Sequence, residues 1–305
     1  MAEYSDLDLP ACQVILGEYG FEPSSLRRLV GGAANSSFHV NCTNGGELVV
    51  TLVDNHESVD VKELTLLIAC LEHHEIPVDG VVPTMEGELF TFRGSTPVIV
   101  RPFVSGSWPE ASDLESVRKV GRLLGSIHAI PAPPTLRRGG RLVPIDWSDL
   151  LGADAPVDLV SVLRKGEQIK SAESWERLEP VLCHGDLFPD NLLQREDGSL
   201  VALDWETASV DPAVLDLGIS IAAFWDAVEN FGFELVAQMI VSGYREVRSL
   251  SDAEVAQLGN STFYALAMLA FHRFYRHNVK FPNCEKSDTY RELVSRANCL
   301  SDVHL

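Results

Sequence analysis

Hydrophobic residues in the first third of the chain fall in short runs separated by turns of small and polar residues. Such runs occupy residues 26–30, 38–40, 47–53 and 97–103. Short apolar runs bounded by Gly, Asn and Ser predict strands, and tight turns join antiparallel neighbours. We therefore expect a small antiparallel sheet here, preceded by an amphipathic helix that ends at a Gly20 cap.

Beyond the last of these runs, the hydrophobic period lengthens from two to about 3.6 residues, which is typical of helices. Residues 113–130 show it most clearly, with apolar side chains along one stripe and a proline-rich breaker after them. Helices are also predicted over residues 158–168, 212–230 and 233–247, and from residue 251 onward. The pattern predicts an α+β fold in two domains, residues 1–103 and 104–305, which separate at a Pro- and Gly-containing hinge.

One stretch of the helical part, residues 180–204, returns to short apolar runs. A strand is predicted at its start, and two more, at residues 191–193 and 200–203, are predicted to form a hairpin. A hairpin brings the chain back to the end where it started. Asp204 is therefore expected near Asn191 despite their separation in sequence.

The polar residues of this stretch have the spacing that phosphoryl transfer from ATP requires. His184 and Asp186 are followed after four residues by Asn191, which matches the kinase pattern H-x-D-x-x-x-x-N, and Asp204 matches the later Asp. In that pattern the first Asp accepts the proton of the attacking hydroxyl, and the Asn and later Asp bind Mg²⁺ through suitable hard oxygens. We therefore predict Asp186 as catalytic base, Asn191 and Asp204 as metal ligands, and His184 as the residue that orients the loop.

The run HGDLFPDN, followed by LDWE and LDLG, resembles the aminoglycoside-phosphotransferase and choline-kinase superfamily. Within it, ANSS at residues 34–37 and VVTL at residues 49–52 are similar to homoserine kinases of the phosphotransferase type. The resemblance implies a two-lobed protein-kinase-like fold, with a nucleotide-binding sheet lobe in residues 1–103 and a mainly helical catalytic and substrate-binding lobe in residues 104–305. It also implies ATP and Mg²⁺ as cofactors, and an Asp216 carboxylate that braces the catalytic loop by accepting its backbone amides.

Two segments of the first domain are candidates for nucleotide binding. The small-residue turn between the first two strands fits a loop whose backbone amides approach phosphates closely, with an ordinary hairpin turn as the alternative. By resemblance, the hinge after the last strand would pair with adenine through its backbone. The cofactor-binding candidates are Gly31, Gly32, Asn35, Ser36, Thr51, Pro102, Phe103 and Val104.

Thr51 occupies the strand position where kinases place a lysine that holds the α- and β-phosphates. A neutral hydroxyl cannot supply the same charge, so the chain departs from the kinase pattern here. Lys62, at the start of the next helix, is one candidate for the missing charge. Glu63 has the position of the kinase helix glutamate, but without the strand lysine we expect it on a solvated helix face.

Two arginines on the helix that follows residue 251 are candidates for binding the acceptor. Arg273 and Arg276 are three residues apart, so on an α-helix they share a face where guanidinium groups can hold a carboxylate. Salt bridges to the acidic excess of the chain are the alternative. A carboxylate-binding role would favour an amino-acid substrate, because arginines repel a polycationic aminoglycoside.

The composition limits the partners of the chain. It has 24 Lys and Arg against 44 Asp and Glu, a formal net charge of −20, which disfavours nucleic acid and anionic membranes and attracts cations. A polycationic substrate and a plain acidic surface both explain this charge. Six dispersed cysteines without a C-x-x-C pair, no secretory signal and no apolar run long enough for a membrane span predict a cytoplasmic protein with reduced thiols.

The sequence thus predicts an ATP-dependent kinase that phosphorylates the hydroxyl group of a small molecule. By resemblance, the leading acceptor is L-homoserine, which would give O-phospho-L-homoserine. An aminoglycoside or a choline-like amino alcohol is the first alternative, and Thr51 counts against the aminoglycoside because antibiotic kinases usually retain the strand lysine. A catalytically weak nucleotide-binding module is the second alternative. No motif predicts an oligomeric state.

Overall fold

The computed structural model describes residues 5–29, 35–54, 61–140 and 155–302. Within these residues the fold is α+β, as predicted, with an antiparallel sheet in the first part of the chain and mainly helices in the rest. The chain divides into two compact units, Met1–Ser107 with Val201–Glu206, and Trp108–Leu200 with Thr207–Leu305.

Residues 201–206 are the main difference between these units and the predicted domains of residues 1–103 and 104–305. The segment groups with the first unit because Ala202 donates its backbone N–H to Pro77 O at 2.9 Å, and Val78 and Ala202 form a parallel β-bridge. The end of the strand Leu200–Ala202 therefore belongs to the unit that is formed mainly by the first 107 residues. The assignment of nucleotide binding to one domain and catalysis to the other stays a prediction.

The first unit is built on a five-stranded antiparallel sheet. Its elements, in chain order, are α1 (Leu9–Gly17), β1 (Pro23–Arg28), β2 (Ser36–Cys42), β3 (Glu47–Leu52), α2 (Val61–His73), β4 (Thr91–Arg93) and β5 (Thr96–Pro102). The strand order is β1-β2-β3-β5-β4, and all neighbouring pairs are antiparallel. The sheet predicted from the short apolar runs is therefore confirmed.

The two faces of this sheet have different chemistry. Phe38, Val40 and Val50 lie on one face, in a hydrophobic core shared with buried residues of α1. Residues opposite each other in an antiparallel pair project to the same face, and their sequence neighbours project to the other. Ser37 is opposite Thr51, so both belong to the second face. By the same register, His39 and Arg101 also belong to the second face.

The remaining elements are mainly helical and include the loop of the candidate site. They are α3 (Leu114–Ala129), α4 (Val157–Lys170), α5 (Glu173–Glu176), β6 (Pro180–Cys183), β7 (Leu192–Gln194), β8 (Leu200–Ala202), β9 (Ser209–Pro212), α6 (Ala213–Ala223), α7 (Trp225–Phe231), α8 (Phe233–Arg245), α9 (Asp252–Val255), α10 (Leu258–Phe274) and α11 (Tyr290–Asp302). Short 3₁₀ turns cover Pro189–Asn191 and Trp205–Thr207, and a π-helical turn covers Tyr275–Lys280. β6 pairs antiparallel with β9, and β7 pairs with β8, as predicted for the hairpin. Every helix in the described ranges is too short or too polar to cross a lipid bilayer.

Two of the predicted helices are interrupted in the structure. The helix predicted over residues 212–230 breaks at Phe224, whose φ of −95° and ψ of 40° separate α6 from α7. The helix predicted from residue 251 begins with a capping box formed by Ser251 and Glu254, as expected, but a new helix starts after Gln257. Neither break occurs at Gly or Pro, so the sequence carries no local signal for it.

Helices α3 and α8 approach each other closely through two glycines. A Cβ atom on Gly121 would lie 2.0 Å from Ile240 O, and one on Gly243 would lie 1.9 Å from Arg118 O. Only glycine permits backbones this close. Nearby, α6 is buried along almost its whole length, which places the carboxylate of Asp216 in the interior of its unit.

Candidate active site

The predicted catalytic loop begins where β6 ends. Cys183 closes the strand, and His184, Gly185 and Asp186 turn the chain away from it. Gly185 has a φ of +80°, which side chains disfavour, and a Cβ at this position would lie 2.9 Å from Thr207 O. Glycine therefore permits the turn that presents Asp186.

Gly185→Ala is expected to lower both stability and kcat. The new Cβ would meet the Thr207 backbone, and the strained conformation costs about 1–3 kcal/mol of unfolding free energy. Gly198→Ala is the matched control, because Gly198 has a φ of +79° but a Cβ there would meet only the flexible end of Lys119. Chemical denaturation and steady-state assays should show a smaller stability loss and a retained kcat for the control. A wild-type kcat for Gly185→Ala would contradict the need for this turn.

Asp216 of α6 holds the loop through its backbone. Its Oδ2 accepts the His184 N–H at 2.7 Å, and its Oδ1 accepts the Gly185 N–H at 2.8 Å. Burial acts to raise the pKa of Asp216, but the hydrogen bond and charge of His128, with the other partners, hold that pKa below its usual value. The predicted brace between Asp216 and the loop backbone is confirmed.

His128 of α3 connects this carboxylate to a second buried group. Its Nε2 lies 3.2 Å from Asp216 Oδ2, and its Nδ1 lies 3.0 Å from Tyr244 OH. Arg248 Nη1 also donates to that hydroxyl, at 2.9 Å. Sequence reasoning did not find this connection. The only sequence signal for this connection is that His128 lies on the apolar stripe of α3, where a buried imidazole needs polar partners.

Asn191 fixes the side chain of Asp186. A 3₁₀ turn, Pro189–Asn191, brings the amide back toward the loop. There Asn191 Nδ2 donates to Asp186 O at 2.8 Å and to Asp186 Oδ2 at 3.1 Å. Both bonds use the amide nitrogen, so Asn191 Oδ1 is the atom that can bind a cation. Asp186 itself is only half-buried, which keeps its carboxylate accessible to a substrate.

His184 is completely buried within the loop. Its Nδ1 accepts the N–H of Asp186 at 3.3 Å, and its backbone oxygen accepts Thr207 Oγ1 at 2.8 Å. The first contact lies inside the loop, the second joins the loop to Thr207, and both restrict the loop backbone. They support the predicted orienting role of His184 and give no support to a direct contact with substrate.

Asp204 lies in the first unit, directly after β8. It is exposed, and its φ of +56° is a left-handed conformation that residues other than glycine rarely adopt. Such conformations concentrate at functional sites. Burial raises the pKa of the neighbouring Asp79, Arg101 opposes that rise, and the charges of Asp204 and Glu72 add to it. A cation beside these carboxylates would relieve their repulsion.

Asn35 is tied to the segment that carries Asp204. Its Nδ2 donates to Glu206 Oε1 at 2.6 Å. Its Oδ1 is buried and has no hydrogen-bond partner among the described residues. A buried acceptor without a partner costs free energy, so this atom fits a position that a ligand completes. The other two loop candidates, Gly31 and Gly32, lie outside the described residues.

The side chains of Ser36 and Thr51 are engaged within the sheet. Ser36 Oγ donates to Asp54 Oδ2 at 2.5 Å and accepts from Arg28 Nη2 at 3.0 Å. Thr51 is 3% exposed, and its Oγ1 lies 3.0 Å from Ser37 Oγ. Thr51 therefore supplies no charge to the second face of the sheet. The predicted cofactor contacts of Ser36 and Thr51 stay predictions.

The hinge candidates begin at Pro102, the last residue of β5, and continue through Phe103 and Val104. Pro102 has no backbone N–H, and the N–H of Phe103 donates to Glu47 O at 3.0 Å. Of the three hinge residues, Val104 is the one whose N–H forms no hydrogen bond to the described residues. Pairing of the hinge with adenine, which stays a prediction, therefore depends on Val104 and on the hinge carbonyl groups.

The two arginines predicted to bind the acceptor differ in their surroundings. Arg273 Nη1 lies 3.7 Å from Glu292 Oε2 and donates to Thr289 O at 3.3 Å. Arg276 is half-buried within the π-helical turn Tyr275–Lys280 and forms no salt bridge with the described residues. The turn departs from the α-helical geometry on which a shared face depends. The salt-bridge alternative is thus supported for Arg273, while Arg276 keeps its predicted role.

The structure therefore groups the candidates in two sets. His184, Asp186 and Asn191 meet on one loop of the second unit. Asn35 and Asp204 lie in the first unit, where Glu206 links the two segments that carry them. The predicted convergence of Asn191 and Asp204 on one Mg²⁺ ion stays a prediction.

The sequence matches a known family and is similar to a named relative. Residues 25–250 match the model of the phosphotransferase enzyme family. The homoserine kinase of Allorhizobium ampelinum is 28% identical over 271 residues, which cover 85% of this chain and 83% of the relative.

Solved structures of small-molecule kinases share the fold. A microcompartment-associated aminopropanol kinase superposes with a TM-score of 0.73 at 18% identity, covering 97% of both chains. A spectinomycin phosphotransferase, solved with ADP and spectinomycin, superposes with a TM-score of 0.72 at 16% identity, covering 97% of this chain and 99% of its own. These likenesses confirm the predicted fold class.

Proposed function

This chain belongs to the phosphotransferase enzyme family, and on that premise we propose that it transfers the γ-phosphoryl group of ATP to the hydroxyl group of L-homoserine. Family membership makes it a kinase with a hydroxyl acceptor. The observation that carries the proposal is the 3.1 Å hydrogen bond from Asn191 to the Asp186 carboxylate, on a loop whose backbone Asp216 holds.

The oxygen ligands that the chain offers fit Mg²⁺ and ATP as cofactors. Asn191 Oδ1 and the Asp204 carboxylate are hard oxygens of the kind that Mg²⁺ prefers, and they would hold the metal. Burial is the main cause of the raised pKa of Asp79, and the charges of Asp204 and Glu72 add to it, so a cation beside these carboxylates would offset their repulsion. Asn35 Oδ1, which has no hydrogen-bond partner among the residues that the structure describes, adds a further oxygen acceptor. When bound, Mg·ATP supplies the transferable phosphoryl group and the charge that offsets its oxygens.

Asp186 carries the proton-transfer step. Its carboxylate accepts the proton of the acceptor hydroxyl as that oxygen becomes the nucleophile, the role of the corresponding Asp in kinase loops. Asn191 fixes the direction of this carboxylate by donating a hydrogen bond to Asp186 Oδ2. Because Asp216 holds the loop backbone through two N–H groups, the base needs little reorganisation when the acceptor arrives.

L-Homoserine is favoured as acceptor by the homoserine kinase that is 28% identical to this chain. Its carboxylate needs a cation, and the half-buried residue Arg276 has a guanidinium group that can bind it through two hydrogen bonds. Arg276 lies in a π-helical turn, and such turns occur frequently at functional sites. Arg273 is less suitable because Glu292 already pairs with it.

An acceptor panel tests this proposal. ADP release is measured at fixed Mg·ATP with L-homoserine, 1-amino-2-propanol, choline and spectinomycin, and L-homoserine is expected to give the highest kcat/KM. Arg276→Met should raise the KM for L-homoserine about tenfold or more, with little change in kcat, because a charge-assisted contact is lost. Arg291→Met, which removes an exposed arginine of α11, is the matched control and should leave that KM unchanged.

The other outcomes of the panel select the alternatives. Preference for 1-amino-2-propanol or choline would make the chain an amino-alcohol kinase, and preference for spectinomycin would make it an antibiotic kinase. No turnover with any acceptor, together with ATP binding that is indifferent to Mg²⁺, would favour a nucleotide-binding module.

A further inference from the structure

Thr51 occupies the position where kinases have a lysine. The same face of the sheet carries an arginine, Arg101, on the neighbouring strand β5. Thr51 is opposite Ile99 in the β3–β5 pair, and Val49 is opposite Arg101. Arg101 therefore projects to the same face as Thr51 and is its diagonal neighbour. Such neighbours are about 7–8 Å apart, a distance that a long side chain spans.

One nitrogen of the largely buried Arg101 side chain has no hydrogen-bond partner among the described residues. Its side chain is 19% exposed, and its Nε lies 3.5 Å from Asp79 Oδ2, too far and too poorly oriented for a hydrogen bond. That Nε is buried and has no hydrogen-bond partner in the described part of the chain. A buried N–H without an acceptor is costly, and the two Nη atoms of Arg101 carry four further N–H donors that a ligand can use. A ligand with several acceptor oxygens would account for this arrangement.

Arg101 also belongs to the charge cluster that contains the proposed metal ligand. Asp79 interacts electrostatically with both Arg101 and Asp204. All three residues lie in the first unit, so the cluster does not depend on the second unit. A buried carboxylate paired with a cation is the arrangement that kinases use to hold their strand lysine, there with a glutamate from a helix. In this chain Asp79 is the carboxylate beside Arg101.

We propose that Arg101 binds the α- and β-phosphates of the nucleotide, supplying the positive charge that Thr51 does not, while Asp79 holds its guanidinium group in position. This inference rests on the proposed function, because it takes Mg·ATP as the phosphoryl donor. A planar guanidinium group suits the task, since it can donate two parallel hydrogen bonds to phosphate oxygens.

Two other cationic residues of the first unit, Arg27 and Lys62, serve as controls for Arg101. Arg27 is opposite His39 in the β1–β2 pair, in the same row as Arg101, but it lies on the edge strand and is exposed. Lys62, the candidate from sequence analysis, is exposed at the start of α2. Replacing either residue by methionine removes the same charge from the same unit.

Calorimetric titration of the full chain with ADP and with adenosine tests the proposal. Arg101→Met keeps the length of the side chain and removes its charge. It is expected to weaken ADP binding about 10- to 100-fold, the effect of losing a hydrogen bond to a charged group, and to leave adenosine binding unchanged. Arg101→Lys should recover part of the loss. Arg27→Met and Lys62→Met should bind ADP as the wild type does.

Three results would overturn the assignment of Arg101. They are unchanged ADP affinity in Arg101→Met, equal losses for ADP and adenosine, and a larger loss of ADP affinity in Lys62→Met. Arg101→Gln, which keeps a polar side chain, replaces Arg101→Met if the latter does not fold, and the same results apply. A wild-type chain that binds no nucleotide would instead contradict the proposed function, so the two failures are separable.

Discussion

Asp186→Asn is expected to lower kcat by about three orders of magnitude, the size of a lost general base. Asparagine is nearly isosteric with aspartate, and its side-chain oxygen can still accept the hydrogen bond that Asn191 donates to Asp186 at 3.1 Å. It cannot accept the proton of the acceptor hydroxyl. The loss should therefore fall on kcat, while nucleotide affinity and melting temperature stay near the wild-type values. Steady-state ADP release and calorimetric titration with ADP measure the two effects separately.

Asp190→Asn is the matched control for this substitution. Asp190 lies in the same loop and is exposed, so the change removes one negative charge without touching the base. Its kcat should equal that of the wild type. If Asp186→Asn retained a kcat within about tenfold of the wild type, below the usual effect of a general base, Asp186 would not be the base.

Asp216→Asn is expected to have the largest effect on stability. Each carboxylate oxygen of Asp216 accepts a backbone N–H of the loop, from His184 and from Gly185. Asparagine replaces one acceptor by an NH₂ group, so one buried N–H would face another donor. Breaking a buried, charge-assisted network costs about 3–5 kcal/mol of unfolding free energy. Chemical denaturation should show this loss, and kcat should fall with it because the loop is no longer held.

The size of this stability loss should depend on pH. The folded-state pKa of Asp216 is lowered, so its charge stabilises the fold above the unfolded-state pKa of about 3.9. That stabilisation is lost as the pH falls through the lowered folded-state pKa. The difference in unfolding free energy between wild type and Asp216→Asn should therefore be largest near neutral pH and shrink below about pH 4.

Asp226→Asn gives the control for these measurements. Asp226 is an exposed acid on α7, the helix that follows α6, so its substitution should change neither stability nor kcat. A stability difference for Asp216→Asn that stayed constant through the acidic range would show that the charge of Asp216 does not hold the loop.

The parts of this molecule that depend on local patterns could be predicted from the sequence. Short apolar runs predicted the sheet of the first unit. The motif spacing indicated that Asp186 and Asn191 share a loop, and the hydrogen bond between them is known only from the structure. The resemblance to a known family implied that Asp216 accepts backbone amides of the loop, and the structure contains both hydrogen bonds.

Other features depend on contacts between distant segments and left no local signal. The break at Phe224 and the π-helical turn Tyr275–Lys280 occur in sequences with good helical periodicity. Residues 201–206 join the first unit through a backbone bridge to Val78. No side-chain pattern in the sequence predicts this bridge. Sequence analysis did not identify Arg101 as a candidate for phosphate binding. Its position diagonal to Thr51 follows only from the strand register, which the structure provides.

Phosphorus NMR of a reaction containing the wild-type chain, Mg·ATP and L-homoserine tests the central claim most directly. We predict that the resonances of ATP are replaced by those of ADP and of an equimolar phosphomonoester on the homoserine hydroxyl, and that Asp186→Asn gives neither at the same enzyme concentration. Unchanged ATP, or ADP formed with inorganic phosphate and no phosphomonoester, would contradict the transfer of a phosphoryl group to homoserine.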